Sequence, residues 1–231
     1  MDRRNFLITG APALLLAGCS GGNKTPQVCP PGMTGIYPNC QWLPPPPPPP
    51  PPQGQWNMGP QIRGAQYSIG MPTTVGDRWE FPSPTKEVPY PHAGYVTRPI
   101  SLAGKTRIRM TWEIEGEGPF LAAVDTQIPP YLCFHFQRNG DDWSGVNQFE
   151  SYRWYSKDQV NLAPGPASLE VPLQWSAWVS VMGKATEADF AAALNDVCCT
   201  GFAFGGASGK GHGAYATKPG SFFVLKSYDA F

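Results

Sequence analysis

Hydrophobic and polar residues alternate most clearly at 106–115, TRIRMTWEIE. Ile108, Met110, Trp112 and Ile114 share one parity, and Arg107, Arg109, Thr111, Glu113 and Glu115 share the other. Successive side chains of a strand point to opposite faces, so the segment predicts a strand with one buried and one wet face. The alternation recurs in Leu132-Cys133-Phe134-His135-Phe136 and, less regularly, over 149–155, 167–173, 175–181 and 221–228. Turn-forming runs separate these segments, RNGDDWSG at 138–145 and APGPAS at 163–168. Many short strands spaced in this way predict a mainly β protein, an antiparallel β-sandwich. One segment has helical spacing instead. Thr186 stands three residues before Asp189, as in a capping box, and Phe190, Ala193, Leu194 and Val197 follow on one helical face. A short amphipathic helix is expected there, over one end of the sandwich and leading into a strand at 200–204.

Composition supports the β assignment: 28 prolines, 26 glycines and 13% aromatic residues, with only 15% charged, suit short strands joined by turns better than a helical bundle. The 17 basic and 17 acidic residues cancel, so no global field draws the chain to nucleic acid, and no nucleic-acid partner is expected. There is no CxxC, and His92, His135 and His212 are scattered without ligand spacing, so no metal is expected; no cofactor motif is present, so no cofactor is expected either.

The first eighteen residues read as a signal peptide. Arg3 and Arg4 precede Asn5-Phe6-Leu7 and a short apolar run ending in Leu16-Ala17-Gly18-Cys19. The paired arginines resemble the twin-arginine export signal, and the last four residues resemble the bacterial lipobox, which implies lipidation of Cys19 after cleavage. A membrane-spanning helix needs about 20 apolar residues, more than this run supplies around Pro12. The implied location is the cell envelope outside the cytoplasm, periplasm or outer membrane, with the lipid anchor in the membrane. Residues 19–55 then form a Cys-loop and linker. Cys29 and Cys40 bracket a Pro/Gly-rich loop and are expected to pair as a disulfide, since an exported location permits one. Pro44–Pro52 is an unbroken run of nine prolines, which as polyproline II would reach roughly 28 Å and act as a semi-rigid stalk. Residues 56–231 remain for the sandwich domain. For Cys133, Cys198 and Cys199, a bridge from Cys133 to one of the adjacent pair, a vicinal bridge and free thiols all stay open.

The C-terminal half carries an ordered series: LEVPL at 169–173, Trp175 and Trp178 before Gly183, DFAAALNDV at 189–197, GFAFGG at 201–206, GKGHGAY at 209–215 and SFFVLKSYDAF at 221–231. This series resembles the galactose-binding-domain-like jelly roll found in many carbohydrate-binding modules. The likeness covers roughly 75–231 and implies a jelly-roll sandwich; it carries little about activity, because such folds host many functions.

The strongest candidate site is the hairpin from Tyr131 to Tyr155. Arg138, Asn139, Asp141, Asp142 and Trp143 occupy its turn, and Tyr152, Arg153, Trp154 and Tyr155 follow on the return strand. Sugars stack their apolar faces on flat rings while carboxylates, amides and guanidinium groups bond their hydroxyls, and this segment supplies both kinds of group. Parity separates Arg153 and Tyr155 from Tyr152 and Trp154, so one pair faces a ligand; Arg153 and Tyr155, beside His135, are the expected pair. Ordinary turn chemistry at Asn139-Gly140-Asp141 and core packing of the aromatics are the competing explanation. The loop at 205–213, GGASGKGHG, is neither a Walker phosphate loop nor a serine-hydrolase elbow, and its His212 is a further contact candidate. Asp141 and Asp142 diverge on a strand and form no glycosidase pair, and a calcium site there would need further oxygens. Glu113, Glu115 and Glu117 read as a solvated strand edge and turn. The expected function is non-catalytic binding of a glycan or cell-wall polysaccharide. Docking of another envelope protein is the first alternative, and a glycan-active enzyme the second.

Overall fold

The computed structural model describes residues 56–58, 77–86, 91–123, 127–206 and 209–231, together with the backbone of short strand segments at 33–34, 41–42, 61–62, 65–66 and 73–75. The chain divides into two compact units, 1–49 and 50–231. In the first, Met33–Thr34 pairs antiparallel with Gln41–Trp42. Cys19, Cys29, Cys40 and the proline run lie outside the described residues.

The second unit is an antiparallel β-sandwich. Its strands are β1 (Asn57–Met58), β2 (Thr73–Val75), β3 (Arg78–Glu80), β4 (Tyr95–Arg98), β5 (Arg107–Glu115), β6 (Phe120–Ala122) and β7 (Tyr131–Arg138). They continue as β8 (Arg153–Ser156), β9 (Val160–Asn161), β10 (Gly165–Pro172), β11 (Trp178–Ser180), β12 (Val197–Gly205), β13 (Ala214–Ala216) and β14 (Phe222–Ala230). One sheet runs β11-β8-β7-β12-β4-β1, with β9 also paired to β7. The other runs β10-β5-β14-β3-β2, and β6 pairs with β13 as a separate ribbon.

The period-two pattern dictates the core. Ile108, Met110, Trp112 and Ile114 of β5 meet Leu132, Phe134 and Phe136 of β7, Trp154 of β8, and Phe202 and Phe204 of β12 in one apolar cluster. Phe223 stacks within 5.0 Å of Phe202, which ties the last strand to the opposite sheet. Burying a side chain of this size stabilises by about 1.5–3 kcal/mol, so the aromatic interior is the main source of cohesion. At β14 the register shifts between Leu225 and Ser227, a bulge that leaves Lys226 exposed and keeps Tyr228 facing inward.

The helix α1 (Glu187–Leu194) begins with the expected capping box: the Thr186 hydroxyl accepts from the Asp189 N–H, and the Asp189 carboxylate accepts from the Thr186 N–H. Phe190 and Ala193 are its buried residues; Val197 has already entered β12. Two expected strands are shorter than the alternation suggests. Residues 147–151 and 175–177 form 3₁₀ turns, and the strands start at Arg153 and Trp178. In the first turn Phe149 and Tyr152 pack on each other at 5.1 Å, and in the second Trp175 packs on Trp154 at 5.6 Å. Glu113 and Glu115 are not at a sheet edge. The strand β5 lies between β10 and β14, where Glu113 pairs with Lys226 and Glu115 with Arg78.

Candidate functional site

The two sheets treat their outer faces differently. The strand β5 alternates between buried and more exposed positions, and the outer face of its sheet carries ion pairs such as Arg107 and Arg109 with Glu170. On β7, by contrast, seven consecutive residues from Tyr131 to Gln137 are buried. The inward set is Leu132, Phe134 and Phe136; the outward set is Tyr131, Cys133, His135 and Gln137. An outer face that is both polar and sealed needs a cover, and three loops supply it.

Register brings the outward residues together. His135 stands opposite Tyr155 on one side and Gly201 on the other, and Gln137 stands opposite Arg153 and Cys199. Tyr95 on β4 stands opposite Ala203. Tyr95, Tyr131, Cys133, Tyr155 and Ala203 form a second buried cluster, against which Trp143, Val179 and Val181 pack. A cavity of about 640 Å³ opens beside it, lined by Tyr95, Trp143, Arg153, Tyr155, Lys210 and His212 together with Val179, Val181 and Met182.

The turn at 139–145 places Trp143. The Asp141 carboxylate accepts the Trp143 N–H at 3.0 Å with one oxygen and the Gln137 amide at 2.9 Å with the other. This local bond holds Trp143 at φ +66°, a region that bulky residues rarely adopt and that recurs where surrounding structure fixes a functional residue. The indole then lies over the Arg153 guanidinium at 4.5 Å and edge-on to the Tyr95 ring at 5.0 Å. Arg153 is buried; its Nη2 donates to the Trp143 carbonyl at 3.3 Å, and its Nη1 stands 3.4 Å from Asp141. Its Nε and Nη1 have no hydrogen-bond partner. Burial disfavours the Arg153 charge, yet Tyr155, Tyr95 and Asp141 more than offset that and hold its pKa above the ordinary arginine value.

Beneath the aromatic rings the floor is uncharged at neutral pH. Burial pushes the Cys133 thiol up to about 11 against a lowering pull from Lys210, and burial together with Cys133 and Tyr155 pushes the Tyr131 hydroxyl up to about 12. The His135 imidazole is pushed down to about 3 by burial first and the Arg153 charge second, with the Val96 backbone pulling weakly upward. Neither ring nitrogen of His135 has a hydrogen-bond partner of good geometry. His212 is lowered by burial and by His92.

The opposite wall is braced by Glu150. Its carboxylate accepts from the N–H groups of Met182 at 2.8 Å, Lys184 at 2.6 Å and Ala185 at 3.1 Å, and from the Ser180 hydroxyl. The third wall is the glycine loop. A Cβ on Gly211, whose φ is +79°, would lie 2.0 Å from the Tyr95 hydroxyl, so only glycine lets this loop reach the ring.

The structure brings Trp143, Arg153, Tyr155 and His212 to the cavity and places Asp141 beneath it as the partner of Arg153 and Trp143. His135 does not line the cavity. It is wholly buried under Tyr95 and Tyr155, so it cannot touch a ligand directly in this arrangement. Arg138 and Asp142 serve the turn instead. Arg138 pairs with Asp196 at 3.2 Å and lies over the Tyr152 ring, and the Asp142 carboxylate accepts the Ser144 N–H at 2.7 Å. Among the described residues no three His, Cys, Asp or Glu side chains gather as a metal site. Cys133, Cys198 and Cys199 are free thiols, so the bridge from Cys133 is not formed. Cys133 pairs with Ala203 and Gln137 with Cys199, which separates Cys133 from the adjacent pair by four positions, roughly 13 Å along the strands.

Tyr95, Val179, Val181, Met182 and Lys210 are lining residues that the sequence did not single out as contacts. Tyr95 and Thr97 share a parity opposite to Val96, the one local signal for β4, but the strand is four residues long and follows a proline-rich stretch. Comparison with protein-family models, with characterised proteins and with solved structures finds no match.

Proposed function

We propose that this is an exported, lipid-anchored envelope protein whose sandwich binds carbohydrate, without catalysis, in the cavity beside Trp143. The observation that carries the reading is the wall itself: Tyr95, Trp143 and Tyr155 present rings beside the polar side chains of Ser144 and Lys210. Rings next to polar donors match the two chemistries of a pyranose, an apolar CH face and a rim of hydroxyls. The volume, about 640 Å³, falls in the range of pockets that take a small ligand.

The test is binding of the purified full chain to an array of neutral and acidic glycans, with Trp143→Ala and Met182→Ala beside the unaltered protein. Loss of binding in Trp143→Ala with unchanged far-UV circular dichroism and a cooperative unfolding transition supports the reading. Absence of any glycan bound, or binding that survives both substitutions, rejects this site. For the anchor, Cys19→Ser should abolish incorporation of labelled palmitate in cells, and incorporation that persists rejects it.

A further inference from the structure

The cavity lining contains two strong cations, Arg153 and Lys210, and no aspartate or glutamate among the described residues. That is an imbalance in a chain whose formal charge is zero. Asp141 lies beneath Arg153, but its oxygens already accept from the Gln137 amide and the Trp143 N–H, and it approaches only the Nη1 corner of the guanidinium, at 3.4 Å. The Arg153 Nε and Nη1 are sealed from solvent and Nη2 donates to the Trp143 carbonyl, so what this arginine offers the cavity is chiefly its charge. Lys210 has no carboxylate partner among the described residues; its ammonium donates to the Gln159 side chain at 3.3 Å and lies over the Tyr131 ring at 5.2 Å. The wall is therefore rich in charged donors and poor in charged acceptors. A neutral sugar, whose hydroxyls need acceptors as well as donors, complements such a wall poorly. A carboxylate complements it well.

We propose that the ligand of this cavity is an acidic sugar, a residue carrying a carboxylate as in the hexuronic acids or a lactyl-ether sugar acid. Its ring lies against Trp143 and its carboxylate is held by Lys210, with the buried Arg153 charge adding attraction through space. The inference rests on the reading of the cavity as a glycan site and narrows it to a chemical class. A charge-assisted bond from the Lys210 ammonium is shorter and stronger than a neutral one, and it gains further strength in a site with aromatic walls.

The experiment is calorimetric titration of the full chain with oligosaccharides of galacturonate, glucuronate and mannuronate and with N-acetylmuramic acid, each beside its carboxyl-reduced counterpart. At least one acidic ligand should bind about tenfold or more tightly than its reduced partner, because a charge-assisted hydrogen bond contributes at least that factor. Its affinity should fall as salt is raised from 0.05 to 0.5 M. Lys210→Gln, a change at a half-buried loop position, should lose most of the preference for the acid. Equal binding of acidic and reduced ligands overturns the inference and leaves the glycan site standing. An acid preference that survives Lys210→Gln overturns the assignment to this cavity. Failure of every acidic and every reduced ligand overturns the glycan reading as well.

Discussion

The hydroxyls of Tyr95 and Tyr155 meet at 2.6 Å although their strands are not neighbours. Two strands, β7 and β12, lie between β8 and β4, so the tyrosines reach toward each other over a span of three strand spacings, about 14 Å. The arch covers His135 and Cys133, both fully buried, and its upper side is cavity wall. Stability of the sheet and shape of the site are thus set by the same pair of rings.

Removing one hydroxyl leaves the other buried without this partner. Tyr95→Phe and Tyr155→Phe should each cost about 1–3 kcal/mol, the range for a buried polar group that loses its bond. The double variant should cost less than the sum, since each single change already removes the same contact. Urea unfolding of the three variants measures this, and strictly additive losses would show that the contact contributes nothing.

His135 makes stability depend on pH below neutrality. Its folded pKa of about 3 lies well under the ordinary value near 6.5, so between those limits the unfolded chain binds a proton that the folded chain refuses. Stability therefore falls as pH drops through 6.5, and the loss from this group between pH 7 and pH 5 is about 2 kcal/mol. Denaturant midpoints of the unaltered protein should fall more steeply over that window than those of His135→Gln. Parallel curves would mean that the imidazole is protonated in place.

The arch needs an empty position beneath it, and Gly201 provides one. A Cβ there would stand 1.9 Å from the Val96 carbonyl oxygen, a contact that only a shift of β4 against β12 could relieve. Gly201→Ala should destabilise by about 3 kcal/mol or more, at the severe end for one added methyl group. Thermal unfolding of this variant against the unaltered chain decides it; a melting temperature within a degree would show that the strands yield freely.

How far the sequence predicted these arrangements differs by level. Long strands were legible because one sheet face is wet: the parity of Ile108 to Ile114 against Arg107 to Glu115 has no other explanation. The capping box at Thr186 and Asp189 was legible because it is local. Short strands such as β4 and β13 were not, since each runs for only three or four residues and depends on pairing with distant strands. At the site, the shared parity of Arg153 and Tyr155 beside His135 could be read from spacing. What spacing could not show is that the outer face of β7 is covered, which hides His135 from solvent and makes Tyr95, sixty positions from Tyr155, part of the wall. Arg138 and Asp142 looked like ligand groups because turn residues and sugar-binding residues are the same chemical types; only their partners, Asp196 and the Ser144 N–H, separate the two roles.

Glu150 should matter more than its place in a 3₁₀ turn suggests. Its carboxylate accepts three backbone N–H groups from residues 182–185, the turn next to the Val181 and Met182 wall. Glu150→Ala removes charge-assisted bonds worth about 1.5–3 kcal/mol each before relaxation, and the turn regains freedom. Amide hydrogen exchange at Met182, Lys184 and Ala185 should accelerate by tenfold or more, while the amides of β5 keep their protection. Uniform acceleration across the domain would point to global destabilisation and against a local brace.

The three described thiols should separate cleanly in reactivity. At the end of β12 the register shifts, so that Gln137 faces Cys199 while Arg138 faces Val197. Cys198 is the extra residue of this bulge, which cancels the usual divergence of neighbouring side chains and leaves the two sulfurs 3.3 Å apart. The Cys199 thiol holds the Cys198 pKa below the ordinary cysteine value, whereas Cys199 itself is pushed up by Cys198 and by burial. Cys133 is both fully buried and raised to about 11. Alkylation by iodoacetamide at pH 7.5, followed by peptide mass mapping, should therefore modify Cys198 first and leave Cys133 slower by about a hundredfold or more, because thiolate fraction and access act in the same direction. Addition of urea above the unfolding midpoint should erase the difference. If Cys133 were modified as fast as Cys198 in the folded protein, the tyrosine arch above it would have to open on the timescale of the reaction, and the sealed floor described for the cavity would be wrong.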